Sequence, residues 1–296
     1  MCGIVGFIGQ EPTAPLLLEG LAKLEYRGYD SAGIALLSEN GIEIHKTKGR
    51  LEVLSERIAG GKNMTATAGI GHTRWATHGR PSDENSHPHC SASGRFAIVH
   101  NGIIENYAAL KKQLEKEGVP FASETDSEVI AHLIERAYTG DFLGAVRTAI
   151  SQLEGSYALG VLCSEHPEEL IAVRNASPLI VGLAEEGNFI TSDIPAVLTH
   201  TRRVLQLSDH ELVRLTRDKV EVFDSAGLPV DKMETVVSWD ISSAEKGGYA
   251  HFMIKEIMEQ PQAISATISP RIGADGGIVL DGIRLTTGEL QKIRRI

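Results

Sequence analysis

Met1-Cys2-Gly3-Ile4-Val5-Gly6-Phe7-Ile8-Gly9 opens the chain. The apolar and glycine run after the cysteine reads as a buried strand, which would hold this terminus rigid. Removal of Met1 would leave Cys2 with a thiol and a free α-amine on one residue. An α-amine has an ordinary pKa of about 7.7–8, so it is neutral often enough at cellular pH to take the thiol's proton. Cys2 is therefore the first candidate nucleophile. The competing reading is a structural cysteine at the start of a strand, since free cysteines are commonly buried and inert.

Strand-like apolar runs recur at 3–9, 32–38, 66–71, 95–100, 156–163, 170–174, 179–184, 188–191 and 203–207. Three helical stripes lie between them: Leu16, Leu17, Leu21 and Leu24; Val129, Ile130, Leu133, Ile134 and Ala137; Leu143, Val146, Ile150 and Leu153. Asp126 or Ser127 could cap the second helix and Asp141 the third. Strands and helices come in blocks, which predicts antiparallel sheets covered by helices rather than a doubly wound parallel sheet. Beyond the turn at 225–229, the stretch Ile241 to Tyr249 is polar and glycine-containing, as a connector would be. The tail offers a helical segment over Phe252 to Met258, closed by Pro261, and a second start at 287–293.

The 296 residues are 42% hydrophobic with a formal net charge of −10. That is enough for a large core, and no Lys/Arg cluster overrides the acidic balance, so nucleic acid is a poor partner. No apolar run approaches the roughly 20 residues of a membrane helix, and no cleavable leader pattern opens the chain; a cytoplasmic protein is expected. Three cysteines, Cys2, Cys90 and Cys163, are too few for a disulfide framework. His87-Pro88-His89-Cys90 has no second ligand pair at a distance, so neither metal nor cofactor is expected.

Four further segments carry more polar residues than packing needs. Tyr26-Arg27-Gly28-Tyr29-Asp30-Ser31-Ala32-Gly33 is either a functional loop or a tight turn with a surface ion pair. Gly71-His72-Thr73-Arg74-Trp75-Ala76-Thr77-His78-Gly79 leaves a strand with a guanidinium that could grip a carboxylate bidentately, beside a tryptophan that could cover a small ligand. His100-Asn101-Gly102 presents an amide and an unhindered backbone N–H together, as an oxyanion hole would, or forms an Asn-Gly turn. Ser123-Glu124-Thr125-Asp126-Ser127-Glu128 is a helix cap or a carboxylate for a ligand ammonium. Together they suit an amino acid with a side-chain amide.

In this order the segments resemble the class II glutamine amidotransferases of the N-terminal nucleophile hydrolase superfamily. The resemblance implies an α+β fold, a four-layer αββα sandwich. It implies that Cys2 attacks glutamine, that Asn101 and the Gly102 N–H stabilise the oxyanion, and that Arg74 holds the α-carboxylate and Asp126 the α-ammonium. Thr77 and His78 would line the pocket, Trp75 would act on a closing loop, and Arg27 would support the site. Trp75, Asn85 through His89, Ser177-Pro178-Leu179 and Lys246 through Tyr249 resemble the branch that passes ammonia to a sugar isomerase domain acting on fructose 6-phosphate. On that reading residues 2–224 are the glutaminase domain, 225–250 a linker, and 251–296 the start of a truncated isomerase domain, with a homodimer expected at full length. The alternatives are the same glutaminase on another acceptor, as in amidophosphoribosyltransferase, or a non-catalytic amino-acid-binding module.

Overall fold

The computed structural model describes residues 2–238, 247–280 and 285–295. The chain divides into two compact units, 1–238 and 239–296. In the first, strands β1 (Gly3–Gly9), β2 (Ser31–Ser38), β3 (Gly41–Lys48) and β4 (Ala68–Arg74) build one sheet with β9 (Ile180–Leu183), β10 (Gly187–Thr191), β11 (Arg203–Gln206) and β15 (Thr235–Val236). Its order is β15-β11-β9-β10-β1-β4-β2-β3. The second sheet runs β14 (Pro229–Val230), β13 (Val220–Phe223), β12 (Glu211–Leu215), β8 (Leu170–Asn175), β7 (Gly155–Cys163), β6 (Phe96–Ile104), β5 (His89–Cys90). Neighbouring strands pair antiparallel in both sheets, as expected from the blocked pattern.

Period-2 alternation makes each sheet two-faced. In β1, Ile4 and Ile8 meet Ala97 and Val99 of β6 in a core between the sheets. Val5 and Phe7 face the other way, onto α1 (Thr13–Leu24) and α2 (Leu51–Arg57). Phe96 and Ile98 of β6 pack outward against α4 (Glu128–Ala137) and α5 (Phe142–Ile150), with Leu110 and Leu114 of α3 (Tyr107–Lys116). Three cores therefore separate four layers, the αββα sandwich.

Several expectations are corrected. Pairing of Asn101 with Ala158 and of Gly102 with Tyr157 carries β6 to Ile104, so Asn101-Gly102 lies inside a strand and forms no turn. Asp126 and Ser127 do not cap α4 with their side chains; the Glu128 carboxylate instead takes the Ala122 and Ser123 N–H groups at 2.7 Å each. Asp141 does cap α5, accepting from the Gly144 N–H at 3.0 Å. Strands β3, β12 and β13 and helices α2 and α3 lie outside the predicted runs; α3 buries only Leu110 and Leu114, too little apolar periodicity to stand out.

Residues 229–236, inside the stretch read as connector, supply β14 and β15 to the sheets, while Trp239 and the rest of 239–246 lie outside the described residues. In the second unit, α6 (Phe252–Ile268) continues through Pro261 rather than closing there. The segment at 287–293 contains only the short α7 (Thr287–Leu290). Met253, Ile257, Met258 and Ile264 of α6 are exposed.

Candidate active site

Cys2 is placed by the middle of the first sheet. β1 is flanked by β10 and β4, and Gly3 pairs with Thr73, one residue before Arg74. The Ile4 N–H donates to Ser192 Oγ at 3.0 Å, and the Ser192 N–H donates back to the Ile4 carbonyl at 3.0 Å. A Cβ on Gly3 would stand 2.7 Å from both Leu24 Cβ and Thr73 Oγ1, so only glycine lets the cysteine approach this closely. The Trp75 N–H donates to Cys2 Sγ at 3.2 Å, and the Trp75 carbonyl lies 3.5 Å from the sulfur. Burial pushes the Cys2 thiol above the ordinary value, an effect that the Trp75 N–H offsets only in part. The sulfur is therefore a thiol at neutral pH and requires a base to become a nucleophile.

Asn101 meets Cys2 from the second sheet, its Nδ2 donating to the Cys2 carbonyl at 3.1 Å. Gly102 has φ +137°, and a Cβ there would lie 2.0 Å from the Ser156 carbonyl oxygen. Only glycine fits.

Arg74 is 4% exposed. Its Nη2 donates to the carbonyls of His78 and, at 3.2 Å, Gly79. Its Nη1 is buried with no partner among the described residues. A guanidinium with one engaged edge and one unsatisfied buried nitrogen is suited to a ligand carboxylate. His78 Nδ1 is likewise buried without a partner among the described residues, and its ring meets Tyr107 edge-on at 5.6 Å. Asp126, 4% exposed, accepts from the Ile104 N–H at 2.8 Å. Burial lowers the Arg74 guanidinium from its ordinary value, and Cys2, Asp126 and Asp30 act against that shift as acidic groups.

The outer residues sit less closely. Trp75 is 45% exposed and packs edge-on against Tyr29 at 5.8 Å. Thr77 is exposed on the same loop. Arg27 and Asp30 form no turn-spanning pair. Arg27 Nη1 donates to Asp193 Oδ2 at 2.7 Å, bracing the loop that holds Ile4. Asp30 Oδ2 takes the Ala76 N–H at 2.9 Å, fixing the loop after β4.

Sequence reasoning passed over the buried histidines behind the site. His72 and His87 stack with centroids 4.2 Å apart, and His87 meets His89 at 4.5 Å. His100 Nδ1 lies 2.8 Å from Ser127 Oγ, and His89 Nε2 lies 3.1 Å from Thr125 Oγ1. All four rings are held below the ordinary histidine value by burial, His72 to about 3. The only hint in the sequence was that His72 and His100 fall in or beside apolar strand runs. Among the described residues no group of His, Cys, Asp and Glu could hold a metal.

A sandwich of two antiparallel sheets whose first strand starts at a cysteine facing an arginine and a strand asparagine has the N-terminal nucleophile hydrolase architecture. The chain belongs to the glutamine amidotransferase domain family, whose profile matches residues 50–227. Over its whole length it is 56% identical to the glutamine–fructose-6-phosphate aminotransferase [isomerizing] of Caldanaerobacter subterraneus subsp. tengcongensis, covering 48% of that protein. It is 54% identical to the protein of that name from Clostridium tetani (48% covered) and 53% to that from Clostridium perfringens (48% covered). The chain thus spans about half the length of the curated relatives it matches, and it corresponds to their glutamine amidotransferase part. Among solved structures, a glutamine phosphoribosylpyrophosphate amidotransferase from B. subtilis with ADP and GMP superposes with TM-score 0.67 at 25% identity. It covers 76% of this chain and 49% of its own. The allosteric regulatory enzyme of purine biosynthesis gives TM-score 0.68 at 26% identity and the same coverages. The whole-length identities favour the aminotransferases over the purine enzymes.

Proposed function

We propose that this chain hydrolyses L-glutamine to glutamate and ammonia, as the ammonia-supplying part of an enzyme that makes glucosamine 6-phosphate from fructose 6-phosphate. The observation that carries the reading is Cys2 Sγ resting on the Trp75 N–H at 3.2 Å, with the Asn101 amide on the cysteine's own carbonyl and a buried Arg74 nitrogen unsatisfied.

With Met1 removed, the α-amine of Cys2 takes the thiol proton as sulfur bonds to the carboxamide carbon and the carbonyl electron pair moves to oxygen. Asn101 Nδ2 has two N–H groups, one engaged by the Cys2 carbonyl; the other, with the Gly102 N–H, receives the oxyanion. Collapse breaks the C–N bond, the ammonium returns its proton to the leaving nitrogen, and ammonia departs. Water then cleaves the thioester, releasing glutamate and restoring the thiol. Arg74 holds the substrate carboxylate and Asp126 its ammonium, Thr77 and His78 line the pocket, Trp75 covers it, and Arg27 braces it from behind.

Residues 2–224, completed by β14 and β15 within 225–238, are assigned to the glutaminase, the linker to the remainder up to 250, and 251–296 to the start of a sugar isomerase domain. Fructose 6-phosphate binding and homodimer formation belong to the full-length enzyme. Among the described residues no helix is long and apolar enough to cross a membrane, in keeping with a cytoplasmic enzyme.

The test is intact mass before and after exposure to a diazo-ketone glutamine analogue. Loss of Met1 with one adduct on the Cys2 peptide is the expected result. A processed, folded chain that binds glutamine but forms no adduct and turns nothing over would instead make this a binding module.

A further inference from the structure

Two fixed acceptors flank a short chain of hydrogen bonds behind the candidate oxyanion hole. His72 Nε2 lies 3.1 Å from the His100 carbonyl and 3.0 Å from Asn101 Oδ1. At the other end Asn101 Nδ2 lies 3.1 Å from the Cys2 carbonyl. A carbonyl only accepts, so His72 Nε2 must carry the proton, and that proton is shared with the amide oxygen of Asn101. Reversing the amide would set Oδ1 against the Cys2 carbonyl and Nδ2 against an N–H. The direction of every bond is therefore determined from outside the amide.

We propose that His72 is a positioning residue for glutamine hydrolysis: its Nε2–H locks the Asn101 side chain with the NH2 group facing Cys2. The inference rests on the reading of Asn101 as an oxyanion donor. His72 is 1% exposed, and burial holds its ring down at about 3, so near pH 7 the ring is neutral and Nε2 carries its one proton. Stacking on His87 at 4.2 Å with an interplanar angle of 18° restrains the tilt of the ring. His72 Nδ1 has no hydrogen-bond partner among the described residues, in keeping with a ring retained for its Nε2 edge.

The test is a double-mutant cycle on glutamine hydrolysis by the processed chain. Asn101→Ala alone should lower kcat by about 100–1,000-fold; unchanged kcat there removes the oxyanion reading and this inference with it. His72→Phe, which keeps a flat ring and removes the donor, should lower kcat by about 10–100-fold while KM stays within about threefold, because Arg74 and Asp126 are untouched. The double variant should be no slower than Asn101→Ala, within about threefold. A double variant slowed by the product of the two single losses overturns the inference, as does a folded His72→Phe with normal kcat or with the whole loss in KM. Should His72→Phe fail to fold, His72→Gln carries the test, since its amide N–H reaches the same point. Retained turnover upholds the positioning role, and a folded His72→Gln as slow as Asn101→Ala overturns it.

Discussion

Cys2 Sγ meets the backbone of Trp75 on both sides of its Cα, the Trp75 N–H at 3.2 Å and its carbonyl at 3.5 Å. The nucleophile is thus seated on the loop proposed to close over substrate. Movement of that loop on glutamine binding would change the sulfur's hydrogen bonds and the access to the pocket together.

The Cys2 thiol is raised by burial, so turnover depends on its base. A protein that keeps Met1 has an amide in place of that α-amine. Its glutaminase rate should fall by about 100-fold or more relative to the processed chain, and its alkylation by iodoacetamide should inflect above the ordinary thiol value near 8.5. Full turnover with Met1 confirmed by mass would remove the α-amine from the mechanism.

Arg74 should act on binding more than on chemistry. Arg74→Lys retains the charge but loses the planar fork that reaches the His78 and Gly79 carbonyls and leaves Nη1 for the ligand. KM for glutamine should rise about 10–100-fold, the equivalent of one or two charge-assisted hydrogen bonds, with kcat lowered less. Steady-state kinetics decide this, and an unchanged KM would assign the carboxylate to another group.

Gly102→Ala forces a side chain onto φ +137° and a Cβ to 2.0 Å from the Ser156 carbonyl. The strain and the displaced β7 backbone should cost about 3 kcal/mol or more. A fall in Tm of roughly 6–12 °C follows for a domain of this size. A melting curve that superposes on the parent's would show that β6 accommodates the methyl group.

Acid should unfold the protein earlier than its carboxylates alone predict. His72, His87, His89 and His100 are neutral in the fold and titrate well below or below 6.5, whereas the unfolded chain protonates them near 6.5. The unfolded state therefore binds more protons below pH 6.5, and the stability these rings retain above 6.5 is lost as pH falls toward their folded values. Each contributes up to a tenfold shift in the folding equilibrium per pH unit. Glu128 adds the same sign lower down, because its hydrogen bonds hold it at about 2 and its contribution, complete above 4.5, fades toward that value. Urea midpoints from pH 8 to 4.5 should be flat at the top and fall steeply below about 6.5. Constant midpoints down to pH 5 would mean that the rings titrate in the fold as they do in the unfolded chain.

Much of the candidate site was legible because the residue types proposed for it sit in short segments: Cys2 at a strand start, Arg74 at a strand end, Asn101 beside Gly102, and Asp126 before a helix. Each carries a residue type that packing alone does not call for. The antiparallel, helix-covered sheets followed from strand and helix runs that come in blocks. The failures have a common cause. Asn101-Gly102 resembles a turn until β7 pairs across it, and α3 or β3 carries too few buried residues to register as periodic. Arg27 and Asp30 looked like each other's partners because they are three residues apart, yet they bond to Asp193 and Ala76, far away in sequence.

Local covalent order and apolar patterning therefore determined which groups could take part and which runs form strands or helices, since both depend on neighbours within a few residues. Only the tertiary structure decided what those groups do to one another. The His72–Asn101–Cys2 chain joins β4 of one sheet to β6 of the other and then to the terminus at β1. Hydrogen-bond direction and the neutrality of four buried rings depend on distances and desolvation set when the two sheets close, and neither is encoded in any segment read alone.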